Sequence, residues 1–303
     1  MAATPVELKK TLSDTAAYLV KTVKEPKVGS IGGEWLVLGL ARGEVSVPKD
    51  YYENYYKEVE KLVKDKKGIL HQRKYTEYSR VVLALTALGK DPRNVAGYNL
   101  ITPLTDYDKT IWQGINGPIF ALIALDSGNY EVPKGLRDKY IDNILGYQLK
   151  DGGFALNGEK ADADITAMAL QALAKYQAKP KVKEATDKAL TCLSKLQNKD
   201  GGYSSWGAKN VESTAQVLMA LCELGIPIED SRFVKEGHTL VDNLLMFYQK
   251  QGGFLHTLEG KEINQMATEQ CFYALTNLQR VNLQKSSLYR MAEDPSLKEG
   301  WVV

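Results

Sequence analysis

Long apolar runs are missing from this sequence. No segment reaches the roughly 18 consecutive apolar residues that span a bilayer. The start, Met1-Ala2-Ala3-Thr4-Pro5, has neither a basic segment nor an apolar one, so no secretory leader is read there. Cysteine is scarce, with 3 in 303 residues. Cys192, Cys222 and Cys271 lie far apart inside apolar patterns and form no C-x-x-C pair. That spacing argues against a disulfide scaffold and a thiolate zinc site, and it favours small buried core residues. Histidine is equally scarce: His71, His238 and His256 sit in no metal-ligand pair. Neither charge sign is in excess, since 39 basic and 37 acidic residues leave +2. A nucleic-acid partner, which needs a concentrated positive field, is therefore not expected. No glycine-rich phosphate loop and no hydrolase nucleophile motif appears. No cofactor and no metal are expected. β-Periodicity is sparse throughout. A hydrophobic content of 44% excludes disorder.

Repetition is what the chain does have. Short apolar blocks recur: Leu36–Leu40, Ala84–Gly89, Ala121–Leu125, Ala169–Leu173, Val217–Leu221 and Ala274–Leu278. Anchored on residues 39, 87, 124, 172, 220 and 277, they are spaced as helical-hairpin repeats are. Each block is apolar all round and reads as a helix buried on every side. A more charged helix with one apolar stripe follows in the clearest units, as over Lys181–Leu196 and Ser231–Tyr248. Ala178–Lys181 and Gly225–Ile228 read as turns. The pattern predicts an inner ring of helices inside an outer ring.

A second repeat closes the outer helices. Asp151-Gly152-Gly153-Phe154, Asp200-Gly201-Gly202-Tyr203 and Gln251-Gly252-Gly253-Phe254 each follow a glutamine, Gln148, Gln197 or Gln249. The glycine pair permits a tight reversal after a helix end. The aromatic then folds back, and the glutamine bonds open carbonyls.

These Gln-x-x-Asp-Gly-Gly-aromatic turns resemble the repeats of the terpenoid cyclase and protein prenyltransferase superfamily. Ala161-Asp162-Ala163-Asp164-Ile165-Thr166-Ala167 resembles the Asp-x-Asp-Asp-Thr-Ala motif of squalene–hopene cyclases. The resemblance covers nearly the whole chain. It implies an all-α fold, a single α/α toroid of about six hairpins over residues 1–303. Residues 1–30 would be an outer lead-in helix and 291–303 a C-terminal strap or linker. In overall appearance the chain is most similar to cell-surface members from Gram-positive bacteria. A secreted or cell-surface location is therefore expected, with a cytoplasmic one as the alternative.

Eight residues before the anchors stand Ser79, Asn116, Asp164, Glu212 and Glu269, with Ile31 as the exception. Polar groups here cap helix N-termini and complement the dipole. If the inner helices run parallel, the same groups ring one mouth of the toroid. Asp162, Asp164, Glu212, Glu269 and Asn116, with Trp112, Tyr203, Trp206 and Tyr78 nearby, are the candidate site residues. In the resembled motif the middle aspartate, here Asp164, protonates an alkene, with Asp162 beside it. Ile165 replaces that motif's last acid. The Asp, Cys and His of a prenyltransferase zinc site are not matched. Thr268-Glu269-Gln270-Cys271 only scrambles a thioester element. The expected role is non-catalytic: binding an apolar isoprenoid-like or corrinoid-like small molecule, or a protein partner. The alternative is a class II terpene cyclase. The loop at Asn99–Gly114 fits no repeat, and Asp106 and Asp108 there form only part of a calcium pattern.

Overall fold

The computed structural model describes residues 4–298. In chain order the helices are α1 Pro5–Thr22, α2 Glu34–Arg42, α3 Tyr51–Asp65, α4 Thr76–Ala87, α5 Tyr107–Ile111, α6 Asn116–Ser127, α7 Leu136–Gly146, α8 Ala163–Leu173 and α9 Pro180–Leu196. Strands β1 Tyr203–Ser205 and β2 Ala208–Asn210 come next, then α10 Val211–Leu224, α11 Leu240–Met246, α12 Gln265–Asn282 and α13 Pro295–Lys298. The chain divides into two compact units. Unit 1 holds residues 1–22 and 145–284, and unit 2 holds 23–144 and 285–303. The last five residues of the expected strap, 299–303, lie outside the described residues.

In unit 1 the apolar helices α8, α10 and α12 pack side by side. Side-chain pairs rise together, Asp164–Ser213 then Gln171–Gln216 between α8 and α10, and Gln216–Tyr273 then Glu223–Asn277 between α10 and α12, so the helices run parallel. Every residue of α10 from Val211 to Glu223 is buried. A helix apolar on all sides requires cover on all sides. α9 buries one face, Val182, Ala185, Thr186, Ala189, Leu190, Cys192 and Leu193, as a surface helix should.

The glycine turns form as the sequence predicts. Gly201 has φ +83°, and a Cβ on Gly202 would stand 2.3 Å from Asn243 Oδ1. The first glycine supplies left-handed backbone and the second supplies room. Tyr203, Phe154 and Phe254 are fully covered. Gln148 donates to the carbonyls of Gly152 and Ala185, and Gln197 to those of Gly201 and Phe233, all at 2.8–2.9 Å. Gln148 and Gln197 thus tie their own turns to the following outer segment, whereas Gln249 departs from the pattern and donates to the carbonyls of Phe247 and Tyr248 just before it. The aromatic N–H groups of Phe154, Tyr203 and Phe254 donate to Thr166, Thr214 and Thr268 at 2.9–3.1 Å.

Two expectations need correction. The helix predicted over Ser231–Tyr248 is a single 3₁₀ turn at Ser231–Phe233, a loop, and the short α11. Glu236 and Gly237 both take positive φ there, which breaks the helix, and the Thr239–Asp242 capping box starts a new one. The sparse β-signal hid a hairpin. β1 pairs antiparallel with β2 around Trp206-Gly207, where both residues have positive φ.

In unit 2, α2, α4 and α6 are the apolar helices, and they pack in that order. Arg42, buried at the end of α2, donates to the carbonyls of Leu288 (3.0 Å) and Ser287 (2.8 Å). It also pairs with Asp294 at 2.7 Å. That knot docks the segment after residue 285 onto unit 2.

Candidate functional site

The N-terminal ends of α8, α10 and α12 repeat one device. Asp162, Asn210 and Asn264 are the N-caps, each accepting from the backbone N–H three residues on. Four residues after each cap stands the threonine that holds the aromatic N–H. Between cap and threonine lie Asp164, Glu212 and Met266. The structure therefore corrects the repeat register in α12. Met266 occupies the place of Asp164 and Glu212, and Glu269 sits almost one turn further in. Glu269 is buried and accepts from Gln265 at 2.7 Å.

Asp164 is the central residue. Its Oδ1 is buried and has no hydrogen-bond partner. Burial is the main influence on its carboxyl, which is pushed up to about 6, with Asp162 and Glu212 adding to the rise. The Ser213 and Ser205 hydroxyls oppose it. The same hydroxyls are shared with neighbouring groups: Ser205 donates to Asp162 Oδ2 at 2.8 Å, and Ser213 to Asn210 Oδ1 at 2.9 Å. Glu212 is buried too, and burial raises its carboxyl, opposed by His256. His256 Nδ1 stands 2.8 Å from both its oxygens.

A polar ladder continues inward from these acids. Gln171 Nε2 donates to Gln216 Oε1 at 3.0 Å, and Gln216 Nε2 to the Tyr273 hydroxyl at 2.6 Å and Gln270 Oε1 at 2.9 Å. Asp164 and Glu269 both act electrostatically on Tyr273, whose hydroxyl burial pushes far up. Sequence reasoning missed His256, Gln171 and Gln216. A glutamine repeated on two all-apolar helices was the available signal for the last two.

The remaining predicted residues divide as follows. Tyr203 is covered and donates to the Leu193 carbonyl at 2.8 Å, so it serves packing. Trp206 is 93% exposed at the hairpin tip, one residue beyond Ser205. Trp112, Asn116 and Tyr78 belong to unit 2. Trp112 is exposed, with the Arg73 guanidinium 4.8 Å above its ring. Asn116 Oδ1 is buried without a partner. Tyr78 is buried, its hydroxyl accepting from Leu70 N–H at 3.1 Å. It lines an open cavity of about 810 Å³ with Tyr75, Tyr98, Lys67, Asp106 and Lys109. Asp106 is spent on capping α5 and on Lys109. Among the described residues no cluster of His, Cys, Asp and Glu suits a metal ion. No helix among them is long and apolar enough to cross a membrane.

Unit 2 has an acid that the spacing rule overlooked. Glu34, not Ile31, stands at the start of α2. It accepts from Tyr55 (3.0 Å) and Arg80 (2.7 Å), and Arg80 also holds Glu77 at 2.5 Å. Burial raises the Glu34 carboxyl, and Arg80 counters it.

Comparison with known proteins agrees with this architecture. The family "Squalene-hopene cyclase C-terminal domain" matches residues 154–279. Candida albicans protein geranylgeranyltransferase-I, solved with GGPP, is similar at 12% identity and a TM-score of 0.60, over 96% of this chain and 97% of its own. A variant of the type II terpene cyclase MstE from Scytonema, solved with geranylgeranyl dihydroxybenzoate, is similar at 11% identity and 0.56, over 89% and 96%. The unsaturated glucuronyl hydrolase of Bacillus sp. GL1 is similar at 10% identity and 0.60, over 93% and 98%. The chain spans about half of ent-copalyl diphosphate synthase from Streptomyces platensis, at 49% of that chain, 80% of this one, 17% identity and a TM-score of 0.49. No curated protein sequence matches. The fold is thus all-α and of the α/α-toroid type, and the resemblance to the terpenoid cyclase and prenyltransferase superfamily is borne out. At these identities the likeness concerns the fold, which hosts sugar chemistry as readily as isoprenoid chemistry.

Proposed function

We propose that the chain is a non-catalytic ligand-binding domain of terpenoid-cyclase-like fold. It takes an apolar, isoprenoid-like molecule whose polar end meets the acids at the head of α8 and α10. One observation carries this reading: the buried Asp164 Oδ1 has no partner within the protein. A buried acceptor left open costs about 1–3 kcal/mol, which a ligand's hydrogen bond offsets. Two of the similar structures were solved with geranylgeranyl compounds, which favours an isoprenoid-like ligand here. A place in a secreted or cell-surface protein is part of the same proposal. It rests on the resemblance read from the sequence alone, and fractionation of the source cells tests it.

A second reading, a class II cyclase, is favoured by the raised Asp164 carboxyl. Against it, protonating an alkene requires the conjugate base to be stabilised as it forms. Both neighbouring serine hydroxyls are shared with Asp162 and Asn210. Ile165 stands where the resembled motif has its third acid.

Native mass spectrometry after incubation with geranylgeraniol, squalene and geranylgeranyl diphosphate separates the two. A bound, unaltered ligand is expected. A rearranged hydrocarbon that disappears in Asp164→Asn overturns this reading in favour of the cyclase. If nothing binds, the small-molecule reading is lost and the exposed Trp206 rim becomes the candidate for a protein partner.

A further inference from the structure

The ligand's head group is legible from what the site lacks. Three carboxyls, Asp162, Asp164 and Glu212, gather at the heads of the adjacent helices α8 and α10 in unit 1, and Glu269 lies about one turn inside α12. The hydrogen-bond partners of these carboxyls include one potential cation, His256, bound to Glu212. An acidic cluster alone defines no ligand. The second observation is Gln171. Its side chain is 5% exposed, and its Oε1 is buried with no partner. Gln171 lies seven residues after Asp164, so two turns of α8 bring it back to the same face, roughly 10 Å along the axis. Both side chains look toward α10: Asp164 lies among Ser213 and Glu212, and Gln171 bonds Gln216. That face therefore offers two open acceptors, Asp164 Oδ1 and Gln171 Oε1. The Gln216 amide is spent on Gln270 Oε1 and the Tyr273 hydroxyl, and the Ser205 and Ser213 hydroxyls are engaged by Asp162 and Asn210 as well.

Acceptors and negative charge together select a ligand that donates. They reject a diphosphate, which brings only acceptors and more negative charge. Resting on the ligand-binding reading above, we infer that the site takes an apolar molecule headed by a hydrogen-bond donor, a protonated amine ahead of an alcohol, and excludes prenyl diphosphates. The ammonium bonds Asp164 Oδ1 and is held by the surrounding carboxyls. An alcohol makes the same hydrogen bond without the charge.

The test compares three ligands with one tail: geranylgeranylamine, geranylgeraniol and geranylgeranyl diphosphate. Affinities are measured by quenching of intrinsic tryptophan fluorescence, at pH 7.5 and two salt concentrations. The amine is expected to bind about tenfold more tightly than the alcohol, as suits a charge-assisted hydrogen bond. The diphosphate should bind at least tenfold more weakly than the alcohol. Asp164→Asn removes charge at constant size. It should cut the amine's affinity about tenfold and leave the alcohol's within about threefold, converging the two ligands. A merely structural role for Asp164 lowers both equally and overturns the inference. Tightest binding of the diphosphate also overturns it, yet leaves the ligand-binding reading standing. If no ligand of the three binds, that underlying reading fails and takes this inference with it.

Discussion

Asp164 makes the ends of the pH scale unequal for this protein. Its carboxyl is pushed up to about 6 from 3.8 in the unfolded chain, chiefly by burial. For an acid, a raised folded value means that the folded state holds the proton more tightly than the unfolded one. Stability is then greatest below about pH 4 with respect to this group, and it declines as pH rises through about 6. Beyond that the loss is constant, on the order of 2–3 kcal/mol. Asp164→Asn removes this dependence. Urea melts at pH 4.5 and 7.5 should show the variant gaining on the parent by about 1–3 kcal/mol as pH rises. An equal difference at both values would mean that the site stays hydrated. The motif around Asp164 was plain in the sequence, but its isolation was not. That depends on where the Ser205 and Ser213 hydroxyls send their protons. His256 was hidden for a similar reason, being 44 residues from Glu212.

At the scale of single elements, the threonine bolt carries each loop into its inner helix. Thr214 accepts the Tyr203 N–H and donates to Asn243 Oδ1 at 3.0 Å. Thr214→Val keeps the volume and leaves a buried N–H and a buried carbonyl oxygen open. The expected loss is about 2–4 kcal/mol by chemical denaturation. Thr191→Val, on an exposed threonine of α9, is the control and should change little. The glycine turns, and the bonds of Gln148 and Gln197 back to Gly152 and Gly201, were legible because they close over four residues. The broken outer helix at 231–248 was not legible, since Glu236 in left-handed backbone carries no sequence mark. The register of α12 was misread because its apolar block lies deeper in the helix: residue 277 is 13 residues after the cap Asn264, whereas 172 and 220 are each 10 after Asp162 and Asn210.

For the molecule as a whole, neither unit is one continuous stretch of chain. Residues 1–22 belong with 145–284, and 23–144 with 285 onward. Hydrophobic spacing shows which helices are buried but does not show this pairing of distant segments. It has a direct test. Ending the chain at Gln284 removes the partners of the Arg42 guanidinium at Ser286, Ser287, Leu288 and Asp294. A buried charge stripped of such partners costs about 3–5 kcal/mol. The shortened chain should melt well below the parent by circular dichroism, and Arg42→Met within it should recover part of the loss. Unchanged melting would show that the segment is dispensable.

The bolts also divide the chain into parts that must stay and parts that need not. Between each clamped aromatic and its helix cap runs an arc whose length already differs from repeat to repeat. Its two ends are fixed by the same pair of contacts every time. Such arcs are interchangeable cassettes on a constant chassis. Natural variation, or an engineer, can rewrite the hairpin bearing Trp206 or the loop bearing His256 and so alter the surroundings of Asp164 and Glu212, while the helices beneath keep their places.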